Sequence, residues 1–394
     1  MSPPVVPVAS ELLQKLSLTQ TEFGEGACRC LRAQLDRLCA RRPLLVRDPA
    51  ATAATNIDDE LTIALSDSDP CTVLDVGTPL APEDVDRYGQ QCREGKIDCV
   101  VAVGGGATLD AAKLIALRAS NDRSMASMAG GDYEANSIPI IAVPTTAGSG
   151  SEATHFAVLF VDGEKHSISH ASLRPTLSIV DPTLIASVPR KVAAAAGLDV
   201  LCQAIESLWS RRGDDKSRLF ASESLRLVVP NLHPAVMQGD ADAQAALCLA
   251  SHLAGQAINR STTTICHALS YMITARYRVP HGMAAAATLP ASLLFNYQQA
   301  SAQAGDAEHC LKELSSVFQC STVEAIAREL VLLIRSVGGA ASVAELALPA
   351  DYKAAEHARK FNPERLRNNP RPATPDDIVG ILLARFDHEG NVEA

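Results

Sequence analysis

The chain has 394 residues, 47% hydrophobic and 20% charged. That length accommodates two domains with a large core, and the composition is that of an ordinary globular protein. A formal net charge of −10 argues against a general nucleic-acid binder, which gains affinity by neutralising phosphates, yet leaves room for a small anionic ligand held by a local basic cluster.

Residues 1–20 read as a polar, proline-punctuated lead. No apolar run is expected to be long enough to span a membrane. The start, Met1-Ser2-Pro3-Pro4, lacks the basic and apolar segments of a signal peptide. A cytoplasmic chain with no membrane partner is therefore expected. An amphipathic helix is predicted over Leu31 to Leu38. Short apolar runs at 43–48, 71–76, 98–103 and 138–143 read as strands. Helical segments lie between them, at Pro82 to Glu94 and Thr108 to Ser120. Strands alternating with helices imply a parallel sheet covered on both faces. After Leu177-Ser178-Ile179-Val180-Asp181-Pro182 the strand-like runs nearly vanish, and alanine- and leucine-rich helical stretches follow from about Val188. The expected architecture is a Rossmann-like α/β dinucleotide-binding domain over 1–184 and an all-helical metal and substrate domain over 185–394. Eleven cysteines, with no C-x-x-C among them, read as reduced thiols, with Cys202 and Cys266 as small packing residues.

Two loops in the first half suit a nucleotide. Gly104-Gly105-Gly106 ends a strand and opens a helix at Ala107-Thr108. Glycine lets a backbone approach a pyrophosphate, and the helix start offers unpaired amides. Pro144 to Glu152, with Thr145, Thr146 and Ser149, follows the next strand and can wrap the same ligand. Paired loops at neighbouring strand ends mark the ligand crevice of an open α/β sheet. Asp48 ends its own strand; it is placed to accept from a ribose hydroxyl, which would favour NADH over NADPH, or else it starts a turn before Pro49.

In the second half, Asp199, Gln203 and Glu206 stand at i, i+4 and i+7, one face of a helix. His267 lies in a breaker-poor stretch, and His281 sits in Pro280-His281-Gly282, read as a loop just before the next helix. One carboxylate and two imidazoles suit a borderline divalent metal such as iron or zinc.

The glycine and Pro144–Glu152 loops, Ile179-Val180-Asp181-Pro182, Gly197-Leu198-Asp199 and Pro280-His281-Gly282 together resemble the iron-containing (group III) alcohol dehydrogenases, over roughly residues 20–385. The resemblance implies a dehydroquinate synthase-like architecture, with metal and nicotinamide in the cleft between an α/β and a helical domain. The family pattern implies metal ligands at Asp199, His267 and His281. At a further ligand position this chain has Gln203, a weaker donor than imidazole, and Tyr271 replaces another family histidine. Lys165 matches a family lysine near the nicotinamide.

The segments from Gly148 to Val158, Leu201 to Ser210, His267 to Tyr271 and Arg367 to Arg371 look like those of the phosphonoacetaldehyde reductases. These enzymes reduce phosphonoacetaldehyde to 2-hydroxyethylphosphonate with NADH or NADPH. In that reading His267, Gln203 and Tyr271 serve catalysis, with Tyr271 either sharing in proton delivery or simply packing. Lys165 and Arg260 are the first choices for the substrate anion, ahead of His166, Arg276, Arg278, Arg367, Arg371, Asn259, Asn368 and Asn369. A homodimer is expected by default. The competing readings are a metal-dependent reductase of another small aldehyde, an NAD-binding pseudoenzyme, and a sugar-phosphate cyclase.

Overall fold

The computed structural model describes residues 12–55, 57–66, 72–76, 80–129, 137–161, 164–297, 306–359 and 363–393. The chain forms two compact units, Met1–Val188 and Pro189–Ala394, against an expected division near residue 184.

The first unit is built on a six-stranded sheet with the order β1-β8-β5-β4-β2-β3. The strands are β1 (Gln20–Phe23), β2 (Pro43–Arg47), β3 (Thr72–Asp75), β4 (Cys99–Gly104), β5 (Ile140–Pro144) and β8 (Leu177–Val180). Every pairing in it is parallel. Strands β4, β5 and β8 are buried along their whole length, which is why they read as continuous apolar runs rather than as alternating ones. The helices between them are α1 (Leu31–Arg37), α2 (Pro49–Ala53), α3 (Ile57–Leu65), α4 (Pro82–Glu94), α5 (Gly106–Ala119) and α6 (Met125–Ala129). Two apolar clusters cover the two faces. One carries Val46, Val100, Leu109 and Ile115, the other Leu31, Leu45, Val101 and Ile141.

Three strands depart from the sequence reading. The edge strand β1 is a polar tetrapeptide at the end of the expected lead. An antiparallel hairpin, β6 (Phe156–Val161) with β7 (Glu164–Ser169), follows the second loop. Strand order reverses between β2 and β4, and the carboxyl ends there carry Asp48 and Gly104-Gly105-Gly106. Such a reversal is where open α/β sheets bind their ligands.

The second unit is helical among its described residues. Its helices are α7 (Arg190–Trp209), α8 (Asp215–His233), α9 (Ala241–Ser261), α10 (Ile265–Tyr277), α11 (His281–Ala286), α12 (Leu289–Tyr297), α13 (Asp306–Phe318), α14 (Val323–Ser336), α15 (Ala354–His357), α16 (Pro363–Arg367) and α17 (Pro375–Leu383). Side-chain caps start several of them. Asp214 and Thr374 each form a reciprocal capping box, Asp214 with Ser217 and Thr374 with Asp377.

Helix α7 is the axis of this unit and is buried from Gly197 to Trp209. It corrects one expectation, because by length and composition it is apolar enough to cross a membrane; 78% of its apolar window is buried inside the protein. The same window carries Asp199, Gln203 and Glu206, each of which makes a side-chain hydrogen bond within the unit.

Candidate active site

Helix α7 presents Asp199, Gln203 and Glu206 to the start of α10, and α11 delivers His281 from the other side. His281 is the first residue of α11, with Pro280 as its N-cap, not a residue of the preceding loop. The next residue explains the close approach. A β-carbon on Gly282 would lie 2.0 Å from the Ala195 carbonyl oxygen and 2.8 Å from Asp199 Cβ. Glycine is thus required there for α11 to seat His281 beside Asp199.

Ligand atoms of Asp199, His267 and His281 all lie within 4.8 Å of one another. The His267 and His281 rings meet edge to face with centroids 5.2 Å apart. His267 Nε2 is 3.2 Å from Asp199 Oδ1, and its Nδ1 is in hydrogen-bond contact with Glu206 Oε2. Glu206 is fully buried, and its other oxygen accepts from Thr264 N at 3.0 Å, Thr264 Oγ1 at 2.7 Å and Cys266 N at 2.9 Å. Burial would raise this carboxyl, but the His267 charge and these donors outweigh it and hold it below the usual range. Burial likewise opposes charge on His267, and Glu206 and Asp199 override it, pushing the imidazole up to about 9.

The set fits a divalent metal by its chemistry: one carboxylate oxygen and two imidazole nitrogens converge, and a second carboxylate orients the histidine. His281 has similar support, since its Nδ1 is 3.3 Å from Ser270 Oγ, itself bonded to the His267 carbonyl at 2.9 Å. Both imidazoles are therefore tethered through Nδ1, and Nε2 of His267 faces Asp199. Gln203 donates its amide to Asp199 Oδ2 at 3.1 Å, so in this arrangement it steadies a ligand. Tyr271, one turn after His267, stacks on His281 with centroids 5.7 Å apart and planes 26° apart. Desolvation pushes its phenol above the usual range, with Arg365 pulling the other way.

The basic residues expected to hold an anion fare differently. Arg260 donates through Nε to both oxygens of Asp214, at 3.0 and 2.9 Å, so it secures the cap of α8. Asp214 in turn is held down at about 2, chiefly by that guanidinium. Arg276 pairs with Asp351 at 3.1 Å, and Arg371 donates to the Phe295 carbonyl at 2.8 Å. Asn368 and Asn369 are structural: the Asn368 amide reaches Ser210 Oγ, Ser261 O and Thr262 Oγ1 at 2.8–2.9 Å, and Asn369 donates to Asn296 Oδ1 at 2.7 Å. Lys165 lies on β7, and its side chain falls outside the described residues. Sequence reasoning missed two participants, Glu206 as the partner of His267 and Arg365 as the neighbour of Tyr271. Only Glu206 left a signal, its place on the Asp199 face of α7.

In the first unit the two loops meet. A β-carbon on Gly106 would lie 2.7 Å from Ser149 Oγ, and one on Gly105 would lie 3.5 Å from Thr146 Oγ1. Thr145 N donates to the Gly104 carbonyl at 3.0 Å. Helix α5 begins after Gly105 with no side-chain cap, so its first amides point toward the sheet's carboxyl edge, the arrangement that binds phosphate elsewhere. Beneath the second loop, fully buried Lys113 donates to Ser151 Oγ at 2.8 Å, Thr154 Oγ1 at 3.1 Å and the Phe156 carbonyl at 2.8 Å. Burial lowers its ammonium to about 8. Asp48 Oδ1 accepts from Ala50 N and Ala51 N at 3.0 and 3.3 Å, so this carboxylate caps α2 whatever else it does.

Comparison with known proteins agrees with this geometry. The iron-containing alcohol dehydrogenase family model matches residues 19–182, and the model of that family's C-terminal domain matches residues 193–386. The chain is 33% identical to long-chain-alcohol dehydrogenase 1 of Geobacillus thermodenitrificans, over 93% of this chain and 95% of that protein. It is 37% identical to the phosphonoacetaldehyde reductase of Streptomyces viridochromogenes, over 60% of this chain and 62% of that protein. The crystal structure of sulfoacetaldehyde reductase from Bifidobacterium kashiwanohense in complex with NAD+ superposes with a TM-score of 0.84 at 29% identity, covering 93% of this chain and 96% of that one. The chain belongs to the iron-containing alcohol dehydrogenase family and is an NAD-dependent oxidoreductase of alcohols and aldehydes.

Proposed function

We propose that this chain reduces phosphonoacetaldehyde to 2-hydroxyethylphosphonate, with NADH or NADPH as hydride donor and a divalent metal, iron or zinc, held by Asp199, His267 and His281. The observation that carries the chemistry is the convergence of those three donors within 4.8 Å, with Asp199 and His267 buried and His281 partly so. The phosphonate is favoured by the likeness to a phosphonoacetaldehyde reductase at 37% identity and by the fold shared with a sulfoacetaldehyde reductase, both named for aldehydes with an acidic tail.

When bound, the metal supplies Lewis acidity toward the carbonyl oxygen and the nicotinamide supplies the hydride. The rest falls to this chain. Glu206 and Ser270 fix the two imidazoles, and Gln203 fixes Asp199, so the donor set is formed before substrate arrives. Tyr271 keeps its proton at neutral pH, because its pKa lies above the usual phenol value, and it delivers that proton to the product oxygen. In the first unit, Gly104-Gly105-Gly106 and the α5 amides take the pyrophosphate, while Thr145, Thr146 and Ser149 line the same edge. Asp48 turns Oδ2 to a ribose hydroxyl. Lys165 contributes near the nicotinamide.

The test is oxidation of NADH and NADPH with phosphonoacetaldehyde against propanal, each with and without chelator. Preferential turnover of phosphonoacetaldehyde that chelator abolishes is expected. Equal turnover of propanal would instead favour a neutral substrate, the reading closer to the full-length likeness to long-chain-alcohol dehydrogenase 1. Unchanged rates in His267→Ala and His281→Ala would overturn the metal centre.

A further inference from the structure

Resting on that reading of the reaction, we infer that Arg365 is the residue that selects an acidic aldehyde, holding its tetrahedral oxyanion tail while the carbonyl faces Asp199, His267 and His281.

The position follows from a chain of contacts within the second unit. The His281 ring is stacked by Tyr271 at 5.7 Å, and the Arg365 guanidinium carbon lies 5.4 Å from the centroid of that same Tyr271 ring. Arg365 is therefore one aromatic layer away from a metal donor. It is also anchored, since its Nη1 donates to Thr263 Oγ1, and Thr263 is buried. The loop that carries Thr263 is the one that carries Thr264, which bonds Glu206, and its Thr263 carbonyl accepts from Asn368. The guanidinium and the His267 partner thus share one pinned turn, so the distance between the metal donors and the cation is set by rigid elements rather than by a flexible surface side chain.

Charge points the same way. Asp199 and Glu206 together balance a divalent ion, and Arg365 then makes the neighbourhood net positive, which an anionic tail requires and a neutral aldehyde does not. A planar guanidinium presents paired N–H donors that match two oxygens of a phosphonate or sulfonate. The sequence reading drew Arg367 from helix α16 but passed over Arg365 on the same helix.

The test compares kcat/KM for phosphonoacetaldehyde, sulfoacetaldehyde and propanal in metal-loaded wild type, Arg365→Gln, Arg365→Lys and the surface control Arg276→Gln. For Arg365→Gln, kcat/KM for the acidic aldehydes is expected to fall by on the order of 100-fold, mainly through KM, and by far less for propanal. Arg365→Lys should recover part of the loss, since it restores charge without the fork, and it replaces the glutamine variant if that one fails to fold by thermal melting. Arg276→Gln should leave the ratios as in wild type. The two acidic substrates separate phosphonate from sulfonate preference. Equal losses on acidic and neutral aldehydes would overturn the inference, and so would a wild type that prefers propanal; in both cases the oxidoreductase reading stands. If wild type reduces no aldehyde, that reading fails by itself. Calorimetric binding of phosphonoacetate then decides the inference, and equal affinity in wild type and Arg365→Gln would overturn it.

Discussion

Gly282 and Ala195 are in contact across two helices so closely that a single methyl group on Gly282 would come within 2.0 Å of the Ala195 carbonyl oxygen. The obstacle is backbone on a buried helix, so relief requires α11 to move, and His281 moves with it. Gly282→Ala should lower metal content in purified protein and reduce kcat/KM by about 100-fold, the scale of a 1 Å misplacement. Metal analysis alongside NADH oxidation checks this, and a variant with full metal and full activity would refute it.

Lys113 makes three hydrogen bonds under the second loop, and an ammonium has three donors. Lys113→Met keeps the apolar stem and removes all three bonds, freeing Thr154 from Lys113 and leaving Ser151 held to α5 through Asp110 at 2.6 Å alone. The expected result is a rise of about tenfold or more in the dissociation constant for NADH. Metal affinity in the other unit should stay unchanged. Cofactor titration by fluorescence and metal titration with a competing chelator separate the two effects.

His357 is buried, donates Nε2–H to the Leu269 carbonyl at 2.8 Å and meets the Tyr352 hydroxyl at 3.0 Å through Nδ1. Burial lowers its pKa from 6.5 to about 4. Above pH 6.5 the neutral ring contributes its full stability. Between pH 6.5 and 4 the unfolded chain takes up the proton first, so stability falls with pH, by about 3 kcal/mol over that window. His357→Gln should melt lower at pH 7.5 and show a flatter decline of Tm between pH 6.5 and 4.5 than wild type. Parallel melting curves across that range would contradict the assignment.

The sheet was legible because its central strands are buried on both faces and therefore read as unbroken apolar runs; Cys99–Gly104 and Ile140–Pro144 are the clear cases. Edge strand Gln20–Phe23 was not, since Gln20-Thr21-Glu22 is polar and its pairing with Leu177–Val180 depends on residues more than 150 positions away. The Phe156–Ser169 hairpin was missed although Phe156–Val161 is an apolar run, because its partner strand Glu164–Ser169 is mostly charged and polar. In the helical unit, Asp199, His267 and His281 could be picked out by residue type and spacing. The fate of Arg260 could not, because it turns on Asp214, 46 residues away, a pairing that no local pattern announces. Arg365 was hidden the same way, by a neighbour nearly a hundred positions earlier.

The turn that precedes His267 is tied at Ser261 and Thr262 by the amide of Asn368, 107 and 106 residues further along the chain. During synthesis the ribosome therefore releases both histidines and the aspartate well before the tie that shapes their cradle exists. Assembly of the donor cluster waits for the final stretch of polypeptide, and a nascent chain halted before Asn368 carries every ligand yet lacks the clasp that sets them.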